Sequence, residues 1–235
     1  MSFDRESNKF RTFGRAKGRP LSPHVQAVWD ETFPKLKWDI DAPLSDLEAK
    51  DELWLEIGFG GAEHLLWQAE AHPDIHLIGA EPFMNGVAKA VRGAAEANLS
   101  NLSLHHGDVR DVLSALPDQS LSRIFILFPD PWPKSRHNKR RLLRTKFIGE
   151  LYRVLKPGGE LRFASDIIHY VDWTLSRLKR FSGEDGGGWE FTHDAVNQWR
   201  GRGDDWPGTR YEAKAGREGR PCHYFKFRKT ETNPK

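Results

Sequence analysis

The stretch that decides the fold is ELWLEIGFGGAEHLLWQAEA, residues 52–71. Its first part is a short apolar run that is typical of a buried strand, and its last part carries apolar residues at helical spacing. Gly58, Gly60 and Gly61 join the two parts. Glycines let the backbone approach a ligand closely, and the amino end of a helix follows at once. The stretch therefore predicts a strand, a turn and a helix, with the turn serving either as a ligand site or as a tight structural connection.

The same alternation continues along the chain. Further strands are predicted at IHLIGAEP, LSLHHGD, RIFILF and PGGELRFAS, with helices between them, and two more at WEFTHD and CHYFKFR. One long helix is predicted at RRLLRTKFIGELYRVL, whereas GTRYEAKAGREGRP is interpreted as a polar loop. Strands that alternate with helices predict an α/β fold, a parallel sheet with helices on both faces. In such sheets ligands bind beyond the carboxyl ends of the strands.

Composition limits the class of protein. At 235 residues, with 38% hydrophobic and 29% charged residues, the chain is typical of one soluble domain. Residues 1–20 are polar and basic and predict a flexible arm, and residues 21–235 predict a single domain. No apolar run approaches the ~20 residues that span a bilayer, and the amino terminus lacks a secretory apolar region. A single cysteine, Cys222, fits a reducing cytoplasm, and no ligand set has metal-site spacing, so we expect no membrane and no metal partner.

Acidic residues follow two further strands. Glu81 comes 23 residues after Gly58, close to the ~20 residues expected of an acid that binds ribose hydroxyls. Asp108, after the next strand, suits an adenine amino group. Either acid alone is explained equally well by its place at the start of a helix. Together with the glycine turn, they indicate a nucleoside site at the sheet edge.

The glycine turn also bears on the ligand. A dinucleotide fingerprint, G-x-G-x-x-G, would need glycine at position 63, where this chain has Glu63, a poor neighbour for a pyrophosphate. The turn resembles the G-x-G loop of enzymes that use S-adenosylmethionine, which carries no phosphate. A nicotinamide-dependent oxidoreductase remains the alternative.

The fourth strand ends in FPDPWP, residues 128–133. Proline fixes its own φ angle and biases the preceding residue away from the helical region. The sequence predicts a preorganised extended loop that holds Asp130 and Trp132 at the sheet edge, although a rigid connection would use the same prolines.

A basic burst follows in KSRHNKRRLLRTK, residues 134–146, which contains no acid. If it opens the long helix, its charges oppose the helix dipole by ~0.3–1 kcal/mol each. An external polyanion such as RNA explains that arrangement better than a solvated face does. A non-catalytic RNA-binding module is a second alternative.

With these residues in view, the chain resembles the bacterial tRNA (guanine-N7-)-methyltransferase family over almost its whole length. The most specific matches are FPDPWPKSRHNKRRL and GTRYEAK. The resemblance implies a class I methyltransferase (Rossmann-like) fold, with a mostly parallel seven-stranded sheet and an antiparallel last strand. It also implies S-adenosyl-L-methionine as the cofactor, tRNA as the partner, and methyl transfer to N7 of a guanosine in the variable loop.

The resemblance assigns residues as well. The cofactor site would contain Glu56, Gly58, Gly60, Glu81, Asp108 and Asp130, with Asp130 as the catalytic carboxylate. The substrate would contact Lys134, Asp166, Thr209, Arg210, Tyr211 and Glu212. RNA would contact Arg136, His137, Asn138, Lys139, Arg140 and Arg141. Ala62 departs from the family, which usually has a third glycine there, and its methyl group is expected to crowd the methionine moiety slightly.

Overall fold

The computed structural model describes residues 16, 18–41, 52–192 and 198–230. The strands are β1 (Leu53–Ile57), β2 (His76–Ala80), β3 (Leu102–His105), β4 (Leu121–Leu127), β5 (Leu155–Ser165), β6 (Trp189–Phe191) and β7 (His223–Lys229). The α-helices are α1 (Pro23–Leu36), α2 (Glu63–Ala71), α3 (Met84–Glu96), α4 (Val109–Ala115), α5 (Thr145–Val154), α6 (Ile168–Arg180) and α7 (Arg210–Arg217). Two 3₁₀ helices span Ser135–Arg140 and Gln198–Arg200.

All seven strands join one sheet in the order β3-β2-β1-β4-β5-β7-β6. The strands β1 to β5 pair in parallel, and β7 is antiparallel to both β5 and β6. The α/β fold and the antiparallel last strand are thus confirmed. The order in which successive strands are added to the sheet reverses between β1 and β4. In this architecture ligands bind in the crevice beyond the carboxyl ends of these two strands.

The two faces of the sheet carry separate halves of the core. In β1, Leu53, Leu55 and Ile57 pack with residues of α4, α5 and α6, whereas Trp54 packs on the other face with residues of α1, α2 and α3. Because side chains alternate along a strand, one apolar run serves both layers. Both core layers support the strand ends, which fixes the positions of the residues that follow each strand.

The amino end of α1 follows the prediction from sequence. The Ser22 hydroxyl accepts a hydrogen bond from the Val25 N–H, and Pro23 occupies the first helical position. Most of the predicted basic arm, residues 1–15 and 17, lies outside the described residues. The end of that arm contacts the start of α3, since the Arg19 carbonyl accepts from the Asn85 side chain at 2.9 Å and the Ala16 carbonyl from the Met84 N–H at 3.3 Å.

Two predicted elements differ in the structure. The predicted start of the long helix is wrong. Residues 135–140 form a 3₁₀ helix, an extended segment follows, and α5 starts only at Thr145. Leu142 and Leu143 have helical spacing in the sequence, but from that extended segment Leu142 reaches the sheet-edge crevice and Leu143 the core. The predicted polar loop contains the helix α7. No helix within the described parts of the chain is long and apolar enough to cross a membrane.

Candidate active site

A cavity of about 800 Å³ opens beyond the carboxyl ends of β1, β2, β3 and β4. Its volume lies in the range of small-molecule and cofactor sites. Its walls come from the segments that follow these four strands, together with the start of α7 and the segment before α1. Among the lining residues are Arg19, Gly58, Gly60, Glu81, Lys89, Asp108, Arg110, Phe128, Asp130, Trp132, Arg140, Leu142, Arg210 and Tyr211.

The glycine turn after β1 forms one wall. Gly58 has a φ of 72°, and a Cβ added there would meet no atom within 4 Å. The backbone at Gly58 is therefore open toward the cavity, and a side chain would occupy space that a ligand needs. Behind the turn, a Cβ on Gly86 would lie 2.3 Å from the Gly60 carbonyl oxygen, so α3 approaches this loop as closely as backbones can.

Glu81 lies at the floor of the cavity and is 7% exposed. One carboxylate oxygen accepts from the Gly60 N–H and the other from the Phe83 N–H, both at 2.8 Å. Burial is the largest cause of the raised pKa of Glu81, and these two N–H donors oppose the increase without cancelling it. Each oxygen has a second lone-pair direction for a ligand hydroxyl, so Glu81 both fixes the glycine turn and presents two acceptors to the cavity.

Asp108 is both a helix cap and a residue of the cavity wall. It caps α4 by accepting from the Arg110 N–H at 2.9 Å, and it also lines the cavity. Its other oxygen pairs with the Arg110 guanidinium at 2.8 Å. The cap holds the carboxylate in place beside the cavity.

The proline-rich loop after β4 forms the opposite wall, with Asp130 and Trp132 lining the cavity. It is less extended than predicted, because Phe128 and Trp132 have left-handed φ angles of 51° and 42°. Such angles are uncommon for bulky residues and mark a strained backbone. The Asp130 carboxylate opens onto the cavity, and partial desolvation by the surrounding walls raises its pKa.

The start of α7 closes the site. Thr209 and Glu212 form a capping box, in which the Thr209 hydroxyl accepts from the Glu212 N–H and the Glu212 carboxylate accepts from the Thr209 N–H. The box presents Arg210 and Tyr211 to the cavity. Arg210 pairs with Glu63 at 2.8 Å, which ties α7 to α2 across the glycine turn.

The basic 3₁₀ helix borders the proline-rich loop. Arg136 and Lys139 are exposed, and the Arg140 guanidinium stacks over the Trp132 ring at 4.9 Å and lines the cavity. His137 meets the same ring edge-on, with the centroids 5.9 Å apart. Arg141 is different, since it is 6% exposed and donates from Nε to the Pro131 carbonyl at 2.9 Å.

Eight of the predicted site residues line the cavity, namely Gly58, Gly60, Glu81, Asp108, Asp130, Arg140, Arg210 and Tyr211, and the others lie outside it. Glu56 is buried beneath the sheet edge, with its carboxylate 2.7 Å from Nδ1 of His64. Lys134 is exposed outside the cavity, and Asp166 pairs with Arg220 at 2.7 Å. The Thr209 and Glu212 side chains each accept from the backbone N–H of the other residue, and so contribute through the helix they cap.

Sequence reasoning missed the cationic rim of the cavity. Arg19, Lys89 and Arg110 line it beside Arg140 and Arg210, above an acidic floor of Glu81 and Asp108. The only signal for Arg110 was its spacing from Asp108, and nothing in the local pattern distinguishes Arg19 or Lys89 from ordinary surface cations. Within the part of the chain that the structure describes, no group of three or more His, Cys, Asp or Glu side chains is arranged to hold a metal ion.

Comparison with known proteins identifies the chemistry. A family model described as a putative methyltransferase matches residues 50–223. The tRNA (guanine-N(7)-)-methyltransferase of Ruegeria pomeroyi is 44% identical over 239 residues, which cover 97% of each chain. The chain belongs to the tRNA (guanine-N(7)-)-methyltransferase family. A second family member, from Caulobacter sp. (strain K31), is 51% identical over 174 residues, or 72% of this chain and 75% of that one.

Solved structures agree on the fold. The 16S rRNA (adenine(1408)-N(1))-methyltransferase of Catenulisporales acidiphilia, solved as a single-residue variant, has a TM-score of 0.54 at 18% identity and covers 83% of this chain and 93% of its own. The 16S rRNA methyltransferase KamB has a TM-score of 0.53 at 15% identity and covers 81% and 94%. At these identities the likeness shows the class I methyltransferase fold alone.

Membership in the family excludes both alternatives raised by the sequence, because the chain is a methyltransferase rather than an oxidoreductase or a silent RNA-binding module. The Glu63 carboxylate is by itself weak evidence against a dinucleotide, because it forms an ion pair with Arg210.

Ala62 is the departure from the family pattern. It has a left-handed φ of 67° and is fully buried in the core on the α2 face, and it is not one of the residues that line the cavity. Ala62 therefore strains the backbone of the glycine turn. Because Ala62 does not line the cavity, the structure gives no support to the predicted crowding of the methionine moiety.

Proposed function

We propose that this chain transfers a methyl group from S-adenosyl-L-methionine to N7 of a guanosine in tRNA. The observation that carries the proposal is the joining of two chemically distinct zones at one loop. An acidic floor meets a cationic rim in one cavity, Asp130 and Trp132 line the wall between them, and the Arg140 guanidinium lies over the Trp132 ring. The names of the related proteins supply the substrate, and we expect the enzyme to act on tRNA in the cytoplasm.

The floor of the cavity fits the cofactor. Gly58 leaves open space, Glu81 offers two acceptors that suit a ribose diol, and Asp108 offers one that suits an adenine amino group. These residues, with Gly60 and Asp130, would hold S-adenosylmethionine, which when bound supplies a methyl group on a positively charged sulfur. We expect the chain to bind it and its demethylated product, and to bind NAD poorly.

Asp130 would orient the guanine. Guanine N7 has a lone pair and no proton, so methylation there requires no general base. The ring instead gains positive charge as the methyl group arrives. A carboxylate that accepts hydrogen bonds from the guanine N1–H and amino group would stabilise that charge, most effectively if it is held in place beforehand. The proline-rich loop fixes Asp130 in this way.

The cationic residues would hold the RNA. Arg136 and Lys139 are exposed beside the cavity mouth, and Arg140 and Arg210 reach its rim. Phosphate groups that meet this rim would bring a flipped guanosine toward Asp130, between the rings of Trp132 and Tyr211. The exposed Tyr211 ring, which lines the same cavity, is available for stacking against a base.

The decisive test is the rate of methyl transfer by Asp130→Asn in a single turnover at saturating cofactor and tRNA. Loss of one preorganised charged group of this kind costs on the order of 100–1,000-fold in rate. We expect a reduction of that size in 7-methylguanosine formation with tRNA affinity close to that of the unmodified protein. Asp118→Asn, on a surface turn away from the cavity, is the matched control. A wild-type single-turnover rate for Asp130→Asn would remove Asp130 from the chemistry.

The rate should also depend on pH through Asp130. Desolvation raises the pKa of this carboxyl, and the proposed role requires the charged form. The rate should therefore fall as the pH drops through that raised value, at a higher pH than for an ordinary aspartate, and it should be constant at more alkaline pH. The residual activity of Asp130→Asn should lack this acidic limb.

A further inference from the structure

Arg141 lies in an unusual environment for an arginine at the end of a basic run. Its guanidinium is covered by two rings of α6, 5.3 Å from the Tyr170 centroid and 4.8 Å from that of Trp173. Its Nε donates to the Pro131 carbonyl at 2.9 Å. At 6% exposure, Arg141 has little surface left for a phosphate.

The same two rings hold the backbone next to Arg141. The Leu143 N–H donates to the Tyr170 hydroxyl at 3.4 Å, and the Trp173 indole N–H donates to the Leu143 carbonyl at 3.1 Å. Tyr170 is fully buried and therefore a fixed reference point. The segment around Arg141 is thus clamped to α6, and Arg141 transmits that fixation to Pro131.

Pro131 lies between Asp130 and Trp132 in a strained loop. The left-handed φ angles of Phe128 and Trp132 cost free energy, and such conformations persist only where the surroundings impose them. At the β4 end, the Phe128 N–H donates to the Ala164 carbonyl at 2.8 Å, which fixes the loop to β5. At the Trp132 end, the hydrogen bond from Arg141 supplies the corresponding fixation.

We propose that Arg141 is a positioning residue for Asp130, because it links the proline-rich loop to α6. Arg141 is not an RNA contact, although its place in the basic run suggests one. The inference rests on the proposed function and deepens it. The basic segment then has two roles. Arg136 and Lys139 face the solvent for RNA, whereas Arg141, at the end of the same segment, turns inward to hold the loop.

The test uses Arg141→Met, which keeps an apolar side chain between the two rings but removes the charge and the donor. Small displacements of a reacting group cost up to about 100-fold in rate. We expect single-turnover methyl transfer at saturating tRNA and cofactor to fall about 10- to 100-fold. The salt dependence of tRNA binding should remain that of the unmodified protein.

Arg136→Met is the matched comparison from the same segment. It should reduce the log–log salt slope of tRNA binding by about 0.7–0.9, the value for one lost phosphate contact. Arg141→Lys, which keeps a cation and a donor, should recover part of the rate lost in Arg141→Met. Thermal unfolding establishes whether each variant is folded. If Arg141→Met does not fold, Arg141→Lys tests the positioning role alone. The rate of methyl transfer by Arg141→Lys must then lie below that of the unmodified protein.

The outcomes separate the two proposals. If the unmodified protein forms no 7-methylguanosine in tRNA, the proposed function fails before Arg141 is considered. If it does, a folded Arg141→Met or Arg141→Lys protein with an unchanged rate overturns the positioning role. A lower salt slope with an unchanged saturated rate would show that Arg141 is an RNA contact after all.

Discussion

Replacement of Glu81 by glutamine tests whether this residue organises the cofactor site. Each of its carboxylate oxygens accepts one backbone N–H at 2.8 Å, from Gly60 and from Phe83. A glutamine has only one carbonyl oxygen, so its amide group would face one of these two donors. A buried N–H that loses its acceptor costs about 1–3 kcal/mol. If the glycine turn adopts its binding conformation only when both are satisfied, cofactor affinity should fall by about 5- to 160-fold.

A second effect acts in the opposite direction. Burial raises the pKa of Glu81, so the negative charge is itself unfavourable in the fold, and neutral glutamine removes that penalty. This relief stabilises the folded protein but contributes nothing to ligand binding. The free energy of cofactor binding should therefore decrease more in Glu81→Gln than the free energy of unfolding does. This difference is expected of a buried charge that serves ligand binding at a cost in folding stability.

Isothermal titration with S-adenosylmethionine and with its demethylated product measures the affinities, and chemical denaturation measures the stabilities. Glu96→Gln provides the same chemical change on the exposed end of α3, where Glu96 pairs with Arg92 at 3.3 Å, and should leave both quantities nearly unchanged. Wild-type cofactor affinity in folded Glu81→Gln would refute the assignment of Glu81 as the organising acceptor.

Other variants test neighbouring parts of the site. Thr209→Ala should lose about 0.5–2 kcal/mol of stability in denaturant titrations, because it removes the α7 cap, and the KM for tRNA should rise as Arg210 loses its support, whereas Thr209→Ser should retain most of both. Combined replacement of Arg136 and Lys139 by alanine should reduce the salt slope of tRNA binding by about 0.7–0.9 for each residue with cofactor affinity unchanged, and an unaltered slope would leave them as solvated surface. Ala62→Gly should change the free energy of unfolding by less than about 1 kcal/mol, because relief of about 1–2 kcal/mol from the left-handed backbone is offset by ~0.8 for a buried methyl and 0.5–1 for chain entropy; a change well beyond that limit would contradict this balance.

The sequence predicted the sheet and its ligand-binding edge because both depend on short-range patterns. Apolar runs of strand length ended at Gly58, Glu81, Asp108 and Asp130, and parallel strands bring such ends together whatever else the chain does. Glu56, which only the resemblance placed in the cofactor site, does not line the cavity. Side chains alternate along β1, so Glu56 points to the opposite face from Ile57 and pairs with His64 below the cavity.

The parts that were not predicted depend on tertiary contacts. The apolar spacing around Leu142 and Leu143 imitates a helix, but the buried Arg141 side chain and its hydrogen bond to Pro131 hold that segment extended. By contrast, α7 had a local signal that was overlooked. Thr209 and Glu212 have the spacing of a capping box, which was obscured by the glycines and charges around them.

The position of β7 has a consequence for how the protein is made. This strand lies between β5 and β6, although it follows both in the chain. During synthesis β5 therefore has an unpaired edge, and β6 no partner, until residues 223–229 leave the ribosome. The helix α7, which carries Arg210 and Tyr211, immediately precedes this strand, so these two residues of the cavity wall are also among the last to be made. A nascent chain halted before β7 would expose a long sheet edge prone to association with other chains, so completion of the sheet and of the catalytic cavity are the same late event.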